Sequence, residues 1–187
     1  MRQRTIWFVA LTAMLFVIGG QSVEAQAPGT TRVTIRNPDP AKWAGQTNLF
    51  GNSTGEFVCR PLACPDAAKV TASIKASPTR SPDPQALAKL ASKIPESVAQ
   101  ANANAAATGR KLERLSSGAT TLRGYPAIVQ ELRVDGEKGP AYLSKATMFV
   151  KSALVSITSY SPSLELARRN RELFTKAMEV EDTPIPR

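Results

Sequence analysis

The 187-residue chain carries 24 basic and 15 acidic residues, two cysteines and no histidine. Histidine is the usual general base near neutral pH and the commonest metal ligand, so no Ser-His-Asp or Cys-His nucleophile and no His-containing zinc or copper site can be built. Carboxylates, lysines and tyrosines could still move protons, but no signature arranges them, and the sequence assigns no catalytic, metal or cofactor residue.

Residues 1–25 have the form of a cleavable secretory signal. Arg2 and Arg4 precede an apolar run from Ile6 to Ile18, and Val23-Glu24-Ala25 offers small side chains for cleavage before Gln26. The run falls short of the roughly 18 to 20 residues that a bilayer span needs, so no transmembrane segment is expected once it is removed. The signal takes Arg2, Arg4 and Glu24 with it, which leaves 162 residues, 22 basic against 14 acidic, and a net charge of +8. That length suits one hydrophobic core. The expected organisation is a flexible leader over 26–40, a single α+β domain over 41–180 and a flexible tail over 181–187, in a periplasmic or secreted protein.

The leader is rich in Pro, Gly, Thr and Asn, and the alternation of Val33 with Ile35 is not sustained. Trp43, Leu49, Phe50, Phe57 and Val58 are then separated by turn formers, the pattern of irregular structure or a small hairpin. Trp43, and later Tyr125, read as core or turn packing rather than as contact aromatics. Cys59 and Cys64 are an even, closely spaced pair in a chain bound for an oxidising compartment, which favours an intramolecular disulfide. With four residues between them, Pro61 included, they do not form the Cys-x-x-Cys of a redox motif.

Val70, Ala72 and Ile74 alternate with polar residues over 69–76, the period of a strand with one wet face. Asp83 and Pro84 then supply an N-cap and a first helical residue, and Leu87, Leu90, Ala91, Ile94 and Val98 form an apolar stripe. Pro95 should kink this helix or split it into two consecutive helices, the second fading through Ala101 to Ala107 before Gly109. Segments 111–118 and 119–124 can each be extended. Strands follow over 127–134, with Ile128, Leu132 and Val134 opposite Glu131 and Arg133, and over 142–150 and 154–160, joined by a turn-rich segment at 135–140 and by Lys151-Ser152. Three neighbouring strands with short turns predict an antiparallel meander. A closing helix capped by Ser161 and Pro162 carries a stripe of Leu166, Leu173, Phe174, Ala177 and Met178, with Glu165–Arg169 and Glu172–Lys176 spaced for ion pairs.

The run Gly124-Tyr125-Pro126-Ala127, the strand and hairpin after it, Met148-Phe149-Val150, Leu154-Val155-Ser156-Ile157-Thr158 and the closing helix resemble the second half of the Mog1/PsbP-like α/β sandwiches. The likeness spans roughly residues 110–180. It implies an antiparallel sheet with helices packed on its faces, the helix pair after Pro84 standing in the place of the family's first long helix. The chain departs from the pattern at Lys151-Ser152, which lacks the expected glycine, and at the cysteine loop. The superfamily has no shared catalytic set, so no functional residue carries over.

These observations point to an exported, non-enzymatic α+β protein that binds or helps assemble an envelope component. A basic protein that binds anionic lipid, lipopolysaccharide or glycan is the alternative, through Arg110, Lys111 and Arg114 and through Arg168, Arg169 and Arg171. A His-free hydrolase or isomerase ranks behind both, Glu131, Asp135 and Glu137 being the nearest cluster of acids. The expected partner is an envelope protein or an anionic surface; the export signal argues against nucleic acid.

Overall fold

The computed structural model describes residues 31–64, 67–77, 81–105, 111–136 and 139–182. The signal segment, Arg110 and Glu137 lie outside them. In chain order the elements are β1 (Thr31–Arg36), β2 (Trp43–Gly45), β3 (Asn48–Phe50), β4 (Ser53–Cys59), β5 (Lys69–Ala76), α1 (Pro84–Ser92), α2 (Ile94–Ala105), β6 (Lys111–Leu122), β7 (Tyr125–Asp135), β8 (Ala141–Val150), β9 (Ala153–Ser161), α3 (Leu164–Lys176) and β10 (Met178–Asp182).

A seven-stranded antiparallel sheet has the order β2-β4-β5-β9-β8-β7-β6, and a smaller sheet has the order β10-β1-β3. The predicted meander is the run β6 to β9. It is one strand longer than expected, because 111–122 forms a single strand whose register shifts between Arg114 and Ser116. At the tip of the β6–β7 hairpin, Arg123 and Gly124 both take positive φ, the geometry that a two-residue turn between twisted strands requires. Lys151 reaches φ 50° in the β8–β9 turn and so fills the place where glycine was expected.

One buried cluster joins both sheets and α3. Val33 and Ile35 of β1, Leu49 of β3 and Met178 of β10 pack with Phe57, Val70, Val155 and Ile157 of the large sheet and with Phe174 of α3. Phe174 is its hinge, its ring 5.2 Å from that of Trp43 and 4.7 Å from that of Phe57. The helix pair contacts β6 and β7, and its buried Leu87, Ala91 and Val98 lie outside this cluster, as does Leu132. Helices therefore sit on both faces of an antiparallel sheet, the expected α+β sandwich, with α3 and the small sheet sharing one face.

Local signals explain the helix ends. The Asp83 carboxylate accepts a 2.8 Å bond from the Ala86 N–H, Pro84 occupies the first turn of α1, and the break at Lys93 puts Pro95 in the first turn of α2, where its missing N–H costs nothing. For α3 the cap is Ser163, whose Oγ accepts from the Leu166 N–H at 3.3 Å, two residues later than Ser161. Cys59 and Cys64 are joined by a disulfide that closes a five-residue separation beside the core.

Three expectations are corrected. The leader does not run to residue 40: Thr31–Arg36 is a strand, paired with β10 on one side and β3 on the other, with Ile35 fully buried. At the other end Met178 belongs to β10 and not to the helix, and Glu181 and Asp182 extend that strand instead of fraying. The buried stripe of α3 is Ala167, Asn170, Arg171, Phe174 and Thr175, with Leu166 and Leu173 only half-buried. Three of those five residues are polar, because the sheet beneath them is polar too.

Candidate binding groove between an edge strand and a helix

Antiparallel register places cross-strand partners on the same face of a sheet. Ser116 pairs with Glu131, Glu131 with Ser144 and Ser144 with Ser159, so one polar row crosses β6, β7, β8 and β9 on the α3 face. Glu131, Ser144, Ser159 and Ser161 are all buried there, and so are Asn170 and Arg171 of the overlying helix. Asn170 Nδ2 donates to Ser161 Oγ at 3.3 Å.

Glu131 is the centre of this layer. Its carboxylate accepts two bonds of 2.6 Å from Arg168, through Nε and Nη2, and one of 2.7 Å from Ser116 Oγ. The glutamate side chain is 6 % exposed and the arginine 49 %. Arg168 therefore holds the Glu131 carboxyl below its ordinary value of 4.5 in spite of the opposing effect of burial, with Ser116 adding to the shift. Reciprocally, the carboxylate raises the pKa of Arg168. A second tie lies at the hairpin tip, where Arg123 Nη1 donates to the carbonyls of Thr175, Lys176 and Met178, placing a cation on the carbonyl end of α3.

Between these two ties the helix stands off the edge of the sheet, leaving a groove of about 470 Å³. Its floor is small: Ser116, Gly118, Ala119 and Thr120 of β6 with Val129 of β7, and a Cβ built at Gly118 would meet nothing within 4 Å. Its wall is Arg168, Arg171 and Glu172 of α3. The Arg171 side chain is 9 % exposed and donates through Nη2 to Glu172 at 3.1 Å, yet its Nη1 is buried with no hydrogen-bond partner among the described residues. Leaving a guanidinium N–H without an acceptor costs at least the 1 to 3 kcal/mol, roughly, of a neutral buried donor. A second cleft, of about 390 Å³, lies between Thr31–Val33 and the β3–β4 and β8–β9 turns, but its one charged residue, Arg32, stacks on Phe50.

Of the six cations expected to form basic clusters, Arg110 lies outside the described residues and the other five are placed as follows. Arg168 and Arg171 are engaged with Glu131 and Glu172, while Arg169 is exposed on another side of α3. Lys111 pairs in register with Asp135 and Arg114 with Leu132, which puts the two on opposite faces of β6. The arginines of α3 thus build an ion-paired wall and not one solvated patch. Of the i,i+4 pairs expected along α3, Glu172 pairs with its neighbour Arg171 rather than with Lys176. Among the described residues no three Cys, Asp or Glu side chains converge as a metal site, and no helix is long and apolar enough to cross a membrane.

Glu131 was the residue most open to misreading. Its strand alternation sets it opposite Ile128 and Leu132, as though facing water. The available signal was the parity of β8 and β9, whose Ser144 and Ser159 fall on the same face as Met148 and Val155.

No protein-family model matches the chain, and no curated protein sequence matches it. Solved structures do. The chain is similar to LpqN of Mycobacterium tuberculosis, described as involved in cell envelope biogenesis, at 15% identity and TM-score 0.50 over 87% of this chain and 89% of that one. It also matches the cyanobacterial PsbP, CyanoP, of Synechocystis at 12% identity and TM-score 0.48 over 88% and 99%. A Pseudomonas aeruginosa protein of unknown function matches at 15% identity and TM-score 0.42 over 78% and 97%. At such identities the likeness to LpqN is one of fold alone, and it agrees with an antiparallel α+β sandwich.

Proposed function

We propose that the chain is an exported, non-enzymatic binding protein that engages an envelope component through the groove between β6 and α3. The observation that carries this reading is the buried Arg171 side chain, which lines the groove while its Nη1 lacks any acceptor. Burying a cation without satisfying all its donors is costly, and a bound acceptor would relieve that cost. Export is supported by the form of residues 1–25 and by the Cys59–Cys64 disulfide. The absence of histidine from the sequence and the use of Glu131 as an ion-pair partner of Arg168 leave the groove with binding groups rather than an evident acid-base pair.

The test is site-specific crosslinking. A photoreactive residue in place of Thr120, in the full chain expressed with its leader in a Gram-negative host, should give a discrete adduct in the periplasmic or membrane fraction. A residue at the exposed Leu62 serves as control. Adducts that persist in high salt at position 120 and not at position 62 support the reading. Equal labelling at both positions, or adducts removed by salt, would instead favour diffuse attraction of the basic protein to an anionic surface.

A further inference from the structure

We infer that the groove receives an extended peptide segment of a partner protein, added as a strand to the open edge of β6 over Ser116–Leu122, with an Asp or Glu side chain accepting from Arg171. The inference rests on the groove reading above and names the occupant. β6 is the terminal strand of the large sheet, so among the described residues its outer backbone groups have no strand neighbour. Exposed edges of this kind pair readily with a further strand unless charge, proline, bulges or a covering element blunt them.

Here the protection stops halfway. The first part of β6 carries Lys111, Glu113 and Arg114 and is capped by Asn102 of α2, whose amide donates to the Leu112 carbonyl at 2.8 Å and accepts from its N–H at 2.6 Å, while α1 and α2 both pack on the strand. The register shift between Arg114 and Ser116 ends that part. Beyond it Ser116-Ser117-Gly118-Ala119-Thr120-Thr121-Leu122 contains no charge and no proline. This bare stretch is also the one that floors the groove. A strand laid along it would be about six or seven residues long at roughly 3.4 Å per residue, and every second side chain would project on the α3 face.

Charge selects what that side chain is. Glu131 and Glu172 each satisfy one arginine, and Arg171 Nη1 still lacks an acceptor. A carboxylate supplies the acceptor and a counter-charge, and charge-assisted bonds to guanidinium are the stronger class. Main-chain pairing would give affinity and the acidic position specificity, the usual division in recognition by strand addition.

The test uses the disulfide-bonded protein and a phage library of random dodecapeptides, followed by synthetic copies of the peptides selected. The selected peptides should share one Asp or Glu among alternating β-branched residues, and binding should slow amide hydrogen exchange over Ser116–Leu122. Replacing the acid by its amide should weaken binding by about tenfold. N-methylating alternate peptide amides should abolish binding for one alternating set and spare the other, a signature of strand pairing that leaves the protein unaltered. Tolerance of both methylated sets, slowed exchange away from β6, or selection without an acidic position would overturn the inference. So would a dimer whose own contact already protects Ser116–Leu122, since a second copy would then occupy the edge. If position 120 crosslinks an envelope component while the library yields no strand-adding peptide, this inference falls and the groove reading stands.

Discussion

Replacing Arg168 by methionine keeps much of the side chain's apolar stem but removes both bonds to Glu131, leaving its carboxylate at 6 % side-chain exposure with Ser116 as the one remaining donor. Breaking a fully buried ion pair costs roughly 3 to 5 kcal/mol. Arg168 is half exposed and water can reach the vacated position, so about 2 kcal/mol is the appropriate expectation at pH 7. The pH dependence follows from the lowered Glu131 pKa. In the native protein the pair's contribution is fully present above the ordinary value of 4.5 and is lost as pH falls through the depressed folded value. In Arg168→Met the largest lowering influence on the carboxyl is gone while burial still raises it against Ser116 and Arg171, so its pKa rises from the native value and the variant's deficit should shrink as the solution is acidified. Urea unfolding of the native protein, Arg168→Met, Glu131→Gln and the double variant, at pH 7 and near pH 4, measures both effects. The double-variant cycle should give a coupling of about 1 to 2 kcal/mol at pH 7 and less in acid. A coupling below about 0.5 kcal/mol, or a deficit independent of pH, would refute the account of Glu131 as a charged, arginine-held centre.

Three further outcomes are expected. Phe174→Ala removes the ring that joins Trp43 to Phe57 beneath α3, and thermal unfolding should report a loss of about 3 to 5 kcal/mol. Replacing Cys59 and Cys64 together by alanine removes a short loop closure, so a loss of about 2 kcal/mol is expected in denaturant titrations, with α3 and the groove intact by NMR shifts. Asn102→Ala leaves the Leu112 N–H and carbonyl without their present partner; hydrogen exchange should quicken at Leu112 while global stability falls by about 1 kcal/mol, and unchanged exchange there would contradict the edge-cap assignment.

Much of the architecture was legible because it is local. The alternation over 69–76, the Asp83-Pro84 start, the break at Pro95 and the β7–β8–β9 hairpins each depend on residues within a few positions of one another, and each is present in the fold. β1 was not legible for the opposite reason. Its partners are Asp182 to Met178 at the far end of the chain and Asn48 to Phe50, and a six-residue alternation set between turn formers looks unstructured until those distant strands supply its hydrogen bonds and bury Val33 and Ile35. The α3 stripe failed similarly: leucine spacing named Leu166 and Leu173, but a helix turns toward whatever the sheet offers, and here the sheet offers a polar row to Asn170 and Arg171.

The sequence by itself determined the charge, the missing imidazole, the paired cysteines, an antiparallel meander and the helices that flank it, since these are set by composition and short-range periodicity. Tertiary structure alone decided that Glu131 is buried, that Arg168 leaves its own helix to meet it, and that Arg171 lines a groove beside a bare strand edge with one N–H unmet. Those facts arise where a strand and a helix 37 residues apart come together, and no local pattern encodes the register that brings them there.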